Sequence, residues 1–296
     1  MRDSFSTYHP AVNLLYFGEV LLFTMCLMHP ISLGISLGAA IAYSLTLGGG
    51  RSMTVPLRAM LPMALMAALI NPAFNHEGRT ILAYFPSGNP LTLESILYGL
   101  AAGAMLVAVI TWFSCYTRVM TSDKFVYLFG RIIPSLSLVL SMTLRFVPRF
   151  RAQYRIISEA QQSMGRSLSE GSPARRIKAA VSVLSILLTW SLENAIHTVD
   201  SMKSRGYGLP GRTAYSIYRL DARDKKALVW LIFCGCYLLC GWSCGGFRWR
   251  FYPTIKGAAL TAFPISFQLI YLALCLTPVI LARKEERTWK RLRSEI

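Results

Sequence analysis

The sequence predicts an all-α protein that crosses a membrane about six times and carries long amphipathic helices on the cytoplasmic side. Hydrophobic residues make up 54% of the 296-residue chain and charged residues only 15%, whereas soluble domains are about 25% charged. The apolar residues are grouped in blocks long enough to span a bilayer, which needs roughly 20 residues. The basic residues lie in the connections between these blocks.

The chain divides into three parts. Four apolar blocks fall in residues 1–114, a largely polar helical region occupies 115–226, and two further blocks with a basic tail fall in 227–296. The first block has no basic segment before it, so we interpret it as a span and not as a cleaved signal peptide. The six predicted spans cover residues 11–28, 30–47, 57–73, 94–114, 227–244 and 259–281.

The formal net charge is +17. It does not indicate nucleic-acid binding, because no soluble module of this chain interleaves aromatic with basic residues. The distribution of the basic residues along the chain instead predicts the membrane topology. If residues 115–226 are cytoplasmic, then 27 of the 31 Lys and Arg residues lie on that side. Four lie on the other. Basic residues favour the cytoplasmic side of a membrane, and although long loops orient poorly by charge, the split without residues 115–226 is still 9 to 4. Both termini are therefore expected in the cytoplasm of a prokaryote, with the chain as a multi-pass protein of its cell membrane.

Some residues inside the predicted spans have two interpretations. Glu19 either lines a transport path or hydrogen-bonds a neighbouring helix. Cys236, Cys240 and Cys244 share one helix face, but small apolar residues also pack there, and we predict no metal site. Ser36 fits the Gly-x-Ser-x-Gly pattern of a nucleophile, but that pattern requires a strand–turn–helix context. We expect no catalytic residue.

Two apolar runs interrupt the 115–226 region. Residues 132–144 are too short to span a bilayer and residues 177–192 are marginal. Because their apolar positions recur at helical spacing, we expect amphipathic or buried helices at both places. The first long helix is expected to begin at Pro148 and to end at Gly171 and Pro173. Its apolar stripe consists of Phe150, Tyr154, Ile157, Met164 and Leu168, interrupted by Gln161.

A second amphipathic helix is expected to follow and to stop at Gly206 and Gly208, with Pro210 beyond. Its stripe is about 25 residues long, or about 38 Å. The stripe consists of Ile177, Val181, Leu184, Leu188, Leu192, Ala195, Val199 and Met202. Arg205 precedes the terminating glycine. Its guanidinium either bonds a partner's carboxylates or interacts with the helix dipole.

The ends of these two helices resemble the transmembrane T component of energy-coupling factor (ECF) transporters, the EcfT/CbiQ family. That family ends each of two coupling helices with a short Ala-Arg-Gly motif. Ser204-Arg205-Gly206 is similar to the second motif. Residues 141–149 resemble the segment that leads into the first coupling helix, and residues 159–163 resemble the segment that leads into the first motif. At the first motif this chain reads Ser163-Met164-Gly165, so the arginine is missing, and Arg166 follows.

The resemblance implies a scaffold without enzymatic activity. Two ECF-type ATPase subunits would bind the coupling helices, and a membrane S component would capture a vitamin, metal ion or similar micronutrient. ATP would be bound by the partners, and this chain would bind no cofactor. The implied ATPase-coupling residues are Ser163, Met164, Gly165, Arg166, Ser204, Arg205 and Gly206. The implied supporting residues are Arg145, Pro148, Arg149 and Arg155.

Two other functions remain open from the residues alone. A membrane-embedded enzyme, such as a lipid transferase, would need clustered Asp, Glu or His at the membrane face. The pairs Asp221/Asp224 and Glu285/Glu286 are flanked by bases and are expected to be solvated. A stand-alone secondary transporter would show inverted repeats and broken spans.

Overall fold

A computed structural model describes residues 4–84, 89–166, 172–209, 218–257 and 261–294. The protein is an all-α polytopic membrane protein. It forms two compact units, Met1–Thr121 with Tyr218–Ile296, and Ser122–Ile217. The first unit contains two antiparallel strand pairs, β1 (Ile81–Tyr84) with β2 (Pro90–Thr92) and β3 (Trp249–Arg250) with β4 (Lys256–Gly257). Its helices are α1 (Pro10–Cys26), α2 (Pro30–Phe74), α3 (Leu93–Val119), α7 (Ala222–Ser243) and α8 (Ala262–Ser294).

Helix α2 covers both the second and the third predicted spans. The connection predicted at residues 48–56 is therefore itself helical, within one helix of 45 residues. If straight, this helix would be about 68 Å long, which is far more than a bilayer needs. Glycine runs and prolines such as Pro56 bend a helix without necessarily ending it.

The contacts at the two ends of α2 show that it folds back on itself. A chain of ring contacts and one hydrogen bond joins His29, just before the start of α2, to Asn71, near its end. A straight helix would place these two residues about 60 Å apart. The links are His29–Trp249 (5.1 Å between ring centroids), Trp249–Phe251 (6.2 Å), Phe251–Tyr98 (5.5 Å), Tyr98–Tyr252 (5.4 Å) and Asn71 Nδ2 to the Tyr252 hydroxyl (3.2 Å). The two apolar halves are therefore antiparallel segments, as the predicted topology requires.

A buried polar cluster ties four of these helices together. The Ser36 hydroxyl of α2 lies 2.7 Å from Thr24 Oγ1 of α1 and accepts a hydrogen bond of 3.0 Å from Trp112 Nε1 of α3. Thr24 Oγ1 also lies 3.1 Å from the Tyr271 hydroxyl of α8. All four side chains are buried. Ser36 is thus a structural residue inside a helix, which agrees with rejecting the nucleophile pattern.

Replacing Ser36 with alanine is expected to lower the free energy of unfolding by about 1–2 kcal/mol, because the buried Trp112 N–H loses its acceptor. The measurement is the thermal unfolding midpoint of the full chain in detergent. Thr46→Ala is the matched control, since the Thr46 hydroxyl bonds only the Tyr43 carbonyl of its own helix among the contacts seen. Equal midpoints for the two variants would contradict the structural role of Ser36.

One end of the first unit joins the segment before α1, the start of α7 and the late part of α8. Asp224 accepts hydrogen bonds from the backbone N–H of His9 and of Asp221, each at 3.2 Å, and is buried. The Arg223 guanidinium lies 4.3 Å above the Tyr8 ring and 3.8 Å from Glu285 Oε1. The expectation that Asp221/Asp224 is a solvated pair was wrong for Asp224, which is buried, although Asp221 is exposed. These residues form the capping box of α7, and capping carboxylates bond backbone N–H groups.

The second unit contains α4 (Ser122–Ile132), α5 (Pro134–Ser163) and α6 (Pro173–Ser204). Helix α5 begins at Pro134 and contains Pro148 in its interior, so the predicted start at Pro148 was wrong. Its end at Ser163 is also earlier than the predicted Gly171, which lies outside the described residues. Pro134 occupies the first turn, where a missing N–H costs nothing. The end of α6 at Ser204, just before Gly206, agrees with the prediction, whereas its start at Pro173 does not, because Pro173 was expected to end the preceding helix.

Five described helical stretches are long and apolar enough to cross a membrane by length and composition. They are Pro30–Gly48, Leu93–Val119, Pro173–Ser204, Ala222–Ser243 and Ala262–Trp289. Helix α1 and the stretch Ala64–Phe74 are also apolar, but they are shorter than these five stretches. The third stretch is α6, which we expected to be amphipathic or buried, so its composition would also permit a span.

Candidate functional site

Helices α5 and α6 pack against each other through one face of each. The rings of Phe150 and Trp190 meet edge to face at 5.7 Å between centroids. Ile157 on α5, and Ala179 and Val183 on α6, are buried. Aromatic pairs in this arrangement stabilise beyond their buried area by about 0.5–1.5 kcal/mol. This packing fixes the direction in which each helix end projects within the unit.

Helix α6 ends in a Schellman cap at the motif that the sequence singled out. Gly206 has φ +78°, a left-handed conformation that glycine adopts without steric cost. Its N–H bonds the Lys203 carbonyl at 2.9 Å, and the Tyr207 N–H bonds the Met202 carbonyl at 3.0 Å. These two bonds define the Schellman motif. Arg205, immediately before the glycine, is exposed.

Helix α5 ends in the same cap. Gly165 has φ +74°. Its N–H bonds the Gln162 carbonyl at 3.0 Å, and the Arg166 N–H bonds the Gln161 carbonyl at 3.0 Å. The residue before the glycine, Met164, has φ −87° and ψ 12°.

The backbone therefore aligns the two tips residue by residue. Arg205, with φ −86° and ψ 7°, occupies the position that Met164 occupies on α5. Gly206 corresponds to Gly165, and Arg166 corresponds to Tyr207 and not to Arg205. The missing arginine of the first motif is thus replaced in place by methionine, whose side chain is 61% exposed.

The serine hydroxyls of the two motifs bond backbone carbonyls of their own helices. Ser163 Oγ donates to the Glu159 carbonyl, and Ser204 Oγ donates to the Ser201 carbonyl, each at 3.0 Å. Their hydroxyls thus have an acceptor within the helix. The side chains that project at the tips are Met164 and Arg166 on α5, and Arg205 and Tyr207 on α6, all of them exposed.

The structure places the four implied supporting residues along α5 and not at its tip. Arg155 pairs with Glu159 at 2.8 Å one turn away, with both side chains exposed. Such a surface pair contributes at most about 0.5 kcal/mol. It lies nine residues before Met164, or about 14 Å along the axis. Arg145, Pro148 and Arg149 lie still farther back and are exposed.

The predicted apolar stripe of α6 is exposed along most of its length. Ile177, Val181, Leu184, Leu188, Leu192 and Val199 are each at least 48% exposed. The face that packs on α5 is a different one, centred on Ala179, Val183 and Trp190. Helix α6 therefore has two apolar faces, and within its own unit only one of them is covered.

Sequence reasoning missed one feature of the site. Gln161 appeared as a polar interruption of the α5 stripe, yet it is buried, and its Oε1 has no hydrogen-bond partner among the described atoms. It lies one turn before Met164. Its spacing of four residues from the buried Ile157, on the same helix face, was a signal for burial that the polarity of Gln161 obscured.

A protein-family model described as "Cobalt transport protein" (CbiQ) matches residues 4–215 of the chain. The match includes both helix tips, at Met164 and at Arg205, and ends before α7 and α8. It covers well over half of the chain.

Curated relatives named "Energy-coupling factor transporter transmembrane protein EcfT" also match. The relative from Lactobacillus helveticus is 37% identical over 101 residues, which is 34% of this chain and 36% of the relative. The one from Bacillus selenitireducens is 38% identical over 100 residues, 33% of this chain and 37% of the relative. These matches span little more than a third of the length of either relative. Because the family model covers most of the sequence, the chain belongs to the CbiQ family, as its helix-tip motifs indicated.

Proposed function

We propose that this chain is the transmembrane coupling subunit of an ECF-type importer. It transmits the ATP-driven motion of two ATPase subunits to a substrate-capturing S component, for uptake of a vitamin, metal ion or similar micronutrient. The observation that carries the proposal is the pair of helices, α5 and α6, that end in the same cap and project Met164 and Arg205 from equivalent positions. Two equivalent tips suit two related ATPase subunits.

The two tips offer different chemistry to their partners. Arg205 presents a planar guanidinium that forms paired hydrogen bonds with a carboxylate. Met164 presents a flexible, polarizable side chain that fills an irregular apolar pocket. We infer that the α6 tip is held by a charge-assisted contact, and that the α5 tip is held by an apolar contact with Arg166 beside it. The two ATPase subunits would then be bound unequally.

The exposed stripe of α6 supplies the second contact that a coupling subunit needs. Six apolar side chains along this face are uncovered within their unit, namely Ile177, Val181, Leu184, Leu188, Leu192 and Val199. Contiguous exposed apolar surface marks a protein or membrane contact. In the proposed function this stripe contacts the membrane-embedded S component, so that movement of the α6 tip is passed along the same rigid helix.

Arg166→Glu is expected to reduce recovery of the ATPase subunits with the purified chain by roughly fivefold. The change reverses an exposed charge two residues from Met164, and electrostatic complementarity contributes to protein association. Arg151→Glu on α5 is the control, since it reverses the same charge on an exposed residue far from the tip. Equal recovery with both variants would show that Arg166 plays no part in docking.

The proposed function is tested by affinity purification of the full chain from membranes of its own cells in mild detergent. Mass spectrometry is expected to identify two ATP-binding subunits and a small membrane protein in stoichiometric amounts. Recovery of the chain alone, with transport activity after reconstitution, would favour a stand-alone secondary transporter instead. Recovery alone with a lipid-modifying activity would favour a membrane-embedded enzyme.

A further inference from the structure

Helix α8 changes abruptly from apolar to basic. Residues 262–282 contain no charged side chain, whereas residues 283–293 contain six Lys or Arg and two Glu. The uncharged part is about 32 Å long, which matches the roughly 30 Å hydrocarbon core of a bilayer. Arg283 therefore lies where the helix leaves the hydrocarbon and enters the headgroup layer, on the side predicted to be cytoplasmic.

A groove of about 700 Å³ begins at this boundary. Three of the arginines that line it are spaced by four residues, so they lie on one face of the helix. The lining side chains that the structure describes are Ile280, Arg283, Lys284, Arg287, Thr288 and Arg291. All six are exposed. The groove thus combines four cations and a hydroxyl with one apolar residue at the end nearest the hydrocarbon.

The two carboxylates of this segment lie outside the groove. Glu285 and Glu286 are half-buried, and Glu285 Oε1 lies 3.8 Å from Arg223 Nη1 at the start of α7. Basic residues that only set topology need to lie near the membrane, but they need no particular helix face. Here four of the six cations lie together on one face and the two acids on others, which indicates a site for an anion.

We propose that this groove binds the headgroup phosphate of an anionic phospholipid of the cytoplasmic leaflet. Clusters of basic residues directly after a span attract anionic lipids. The position of Ile280, one turn before Arg283 and 55% exposed, favours a lipid over a soluble phosphate, because the acyl chain of a lipid bound there would continue along it. The inference rests on α8 as a membrane helix and is independent of the coupling role of α5 and α6.

The test uses the full chain, purified in a zwitterionic detergent and titrated with phosphatidylglycerol or phosphatidylcholine. Native mass spectrometry measures the Kd of the first bound lipid. Phosphatidylglycerol is expected to bind at least tenfold more tightly than phosphatidylcholine. In the double variant Arg283→Gln/Arg287→Gln this preference should fall about tenfold, since each basic residue near the surface contributes to anionic-lipid binding. Raising the salt concentration should weaken the preference further.

The control is Arg219→Gln/Arg293→Gln, which removes two exposed charges that do not line the groove and should keep the preference. Thermal unfolding midpoints verify that both variants fold. Equal binding of the two lipids by the unmodified chain, or an unchanged preference in the groove variant, would overturn the proposal. Displacement of bound phosphatidylglycerol by about 10 mM inorganic phosphate would overturn it too, and would assign the groove to a soluble anion.

Discussion

Replacing Arg205 with glutamate is expected to abolish recovery of the ATPase subunits with the purified chain, while the chain still inserts into the membrane. Arg205 is exposed at the tip of α6, and only its backbone takes part in the cap. Breaking a charge-assisted hydrogen-bonded pair across an interface costs about 2–5 kcal/mol, or more than about thirtyfold in affinity. Substrate uptake should be lost to the same extent.

The matched control for Arg205 is Lys203→Glu, which makes the same charge change in the last turn of the same helix, at another exposed residue. Both changes remove a favourable interaction with the helix dipole, which contributes about 0.3–1 kcal/mol. If Arg205 interacted only with the dipole, the two variants would behave alike. Loss of the ATPase subunits with Arg205→Glu but not with Lys203→Glu distinguishes a docking residue from a capping one.

The second large effect is expected at the exposed stripe of α6. The double variant Leu184→Glu/Leu188→Glu should lose the S component during purification and should retain the ATPase subunits. These leucines are 55% and 57% exposed within their unit. Burying a leucine contributes about 1.5–3 kcal/mol, and burying an unpaired carboxylate in its place costs more. Quantitative mass spectrometry of the purified complex measures both partners at once.

Ser185→Glu/Thr189→Glu is the control for the stripe. It adds the same two charges to exposed positions of α6 that lie beside the apolar stripe. Retention of the S component by this control, and its loss from the leucine variant, is the expected result. If the leucine variant kept the S component, the stripe would not be its contact. Uptake assays in reconstituted vesicles should show the same contrast between the two variants.

The parts of the fold that the sequence predicts well are those set by local chemistry. Helix α6 begins with a proline in its first turn and ends at a glycine with positive φ, and both residues are standard boundary signals. The tip of α5 at Gly165 was indicated by the resemblance of residues 163–165 to the family motif, whereas the local signals placed the helix end later, at Gly171. In both cases the residue that fixes the backbone is also the residue that identifies the site.

The errors arose where distant packing overrides a local signal. Pro148 reads as a helix start, yet it lies inside α5, where it costs one hydrogen bond. Residues 48–56 read as a connection, and the chain does fold back between the halves of α2, but the residues of the connection are themselves helical. Asp224 reads as solvated because basic residues flank it, but its partner, the His9 backbone, is 215 positions away in the chain. Long-range contacts of this kind leave no trace in a local pattern.

Photo-crosslinking of the intact complex tests the coupling role most directly. A photoreactive amino acid placed at Met164, and separately at Tyr207, which is exposed beside Arg205 and leaves that arginine in place, is activated in membranes of cells that contain the natural partners. Each position should crosslink to an ATP-binding subunit. Phe74, which is 82% exposed at the end of α2 and lies on the predicted outer side, should not. Absence of ATPase crosslinks at both helix tips, or equal crosslinking from Phe74, would contradict the assignment of α5 and α6 as coupling helices.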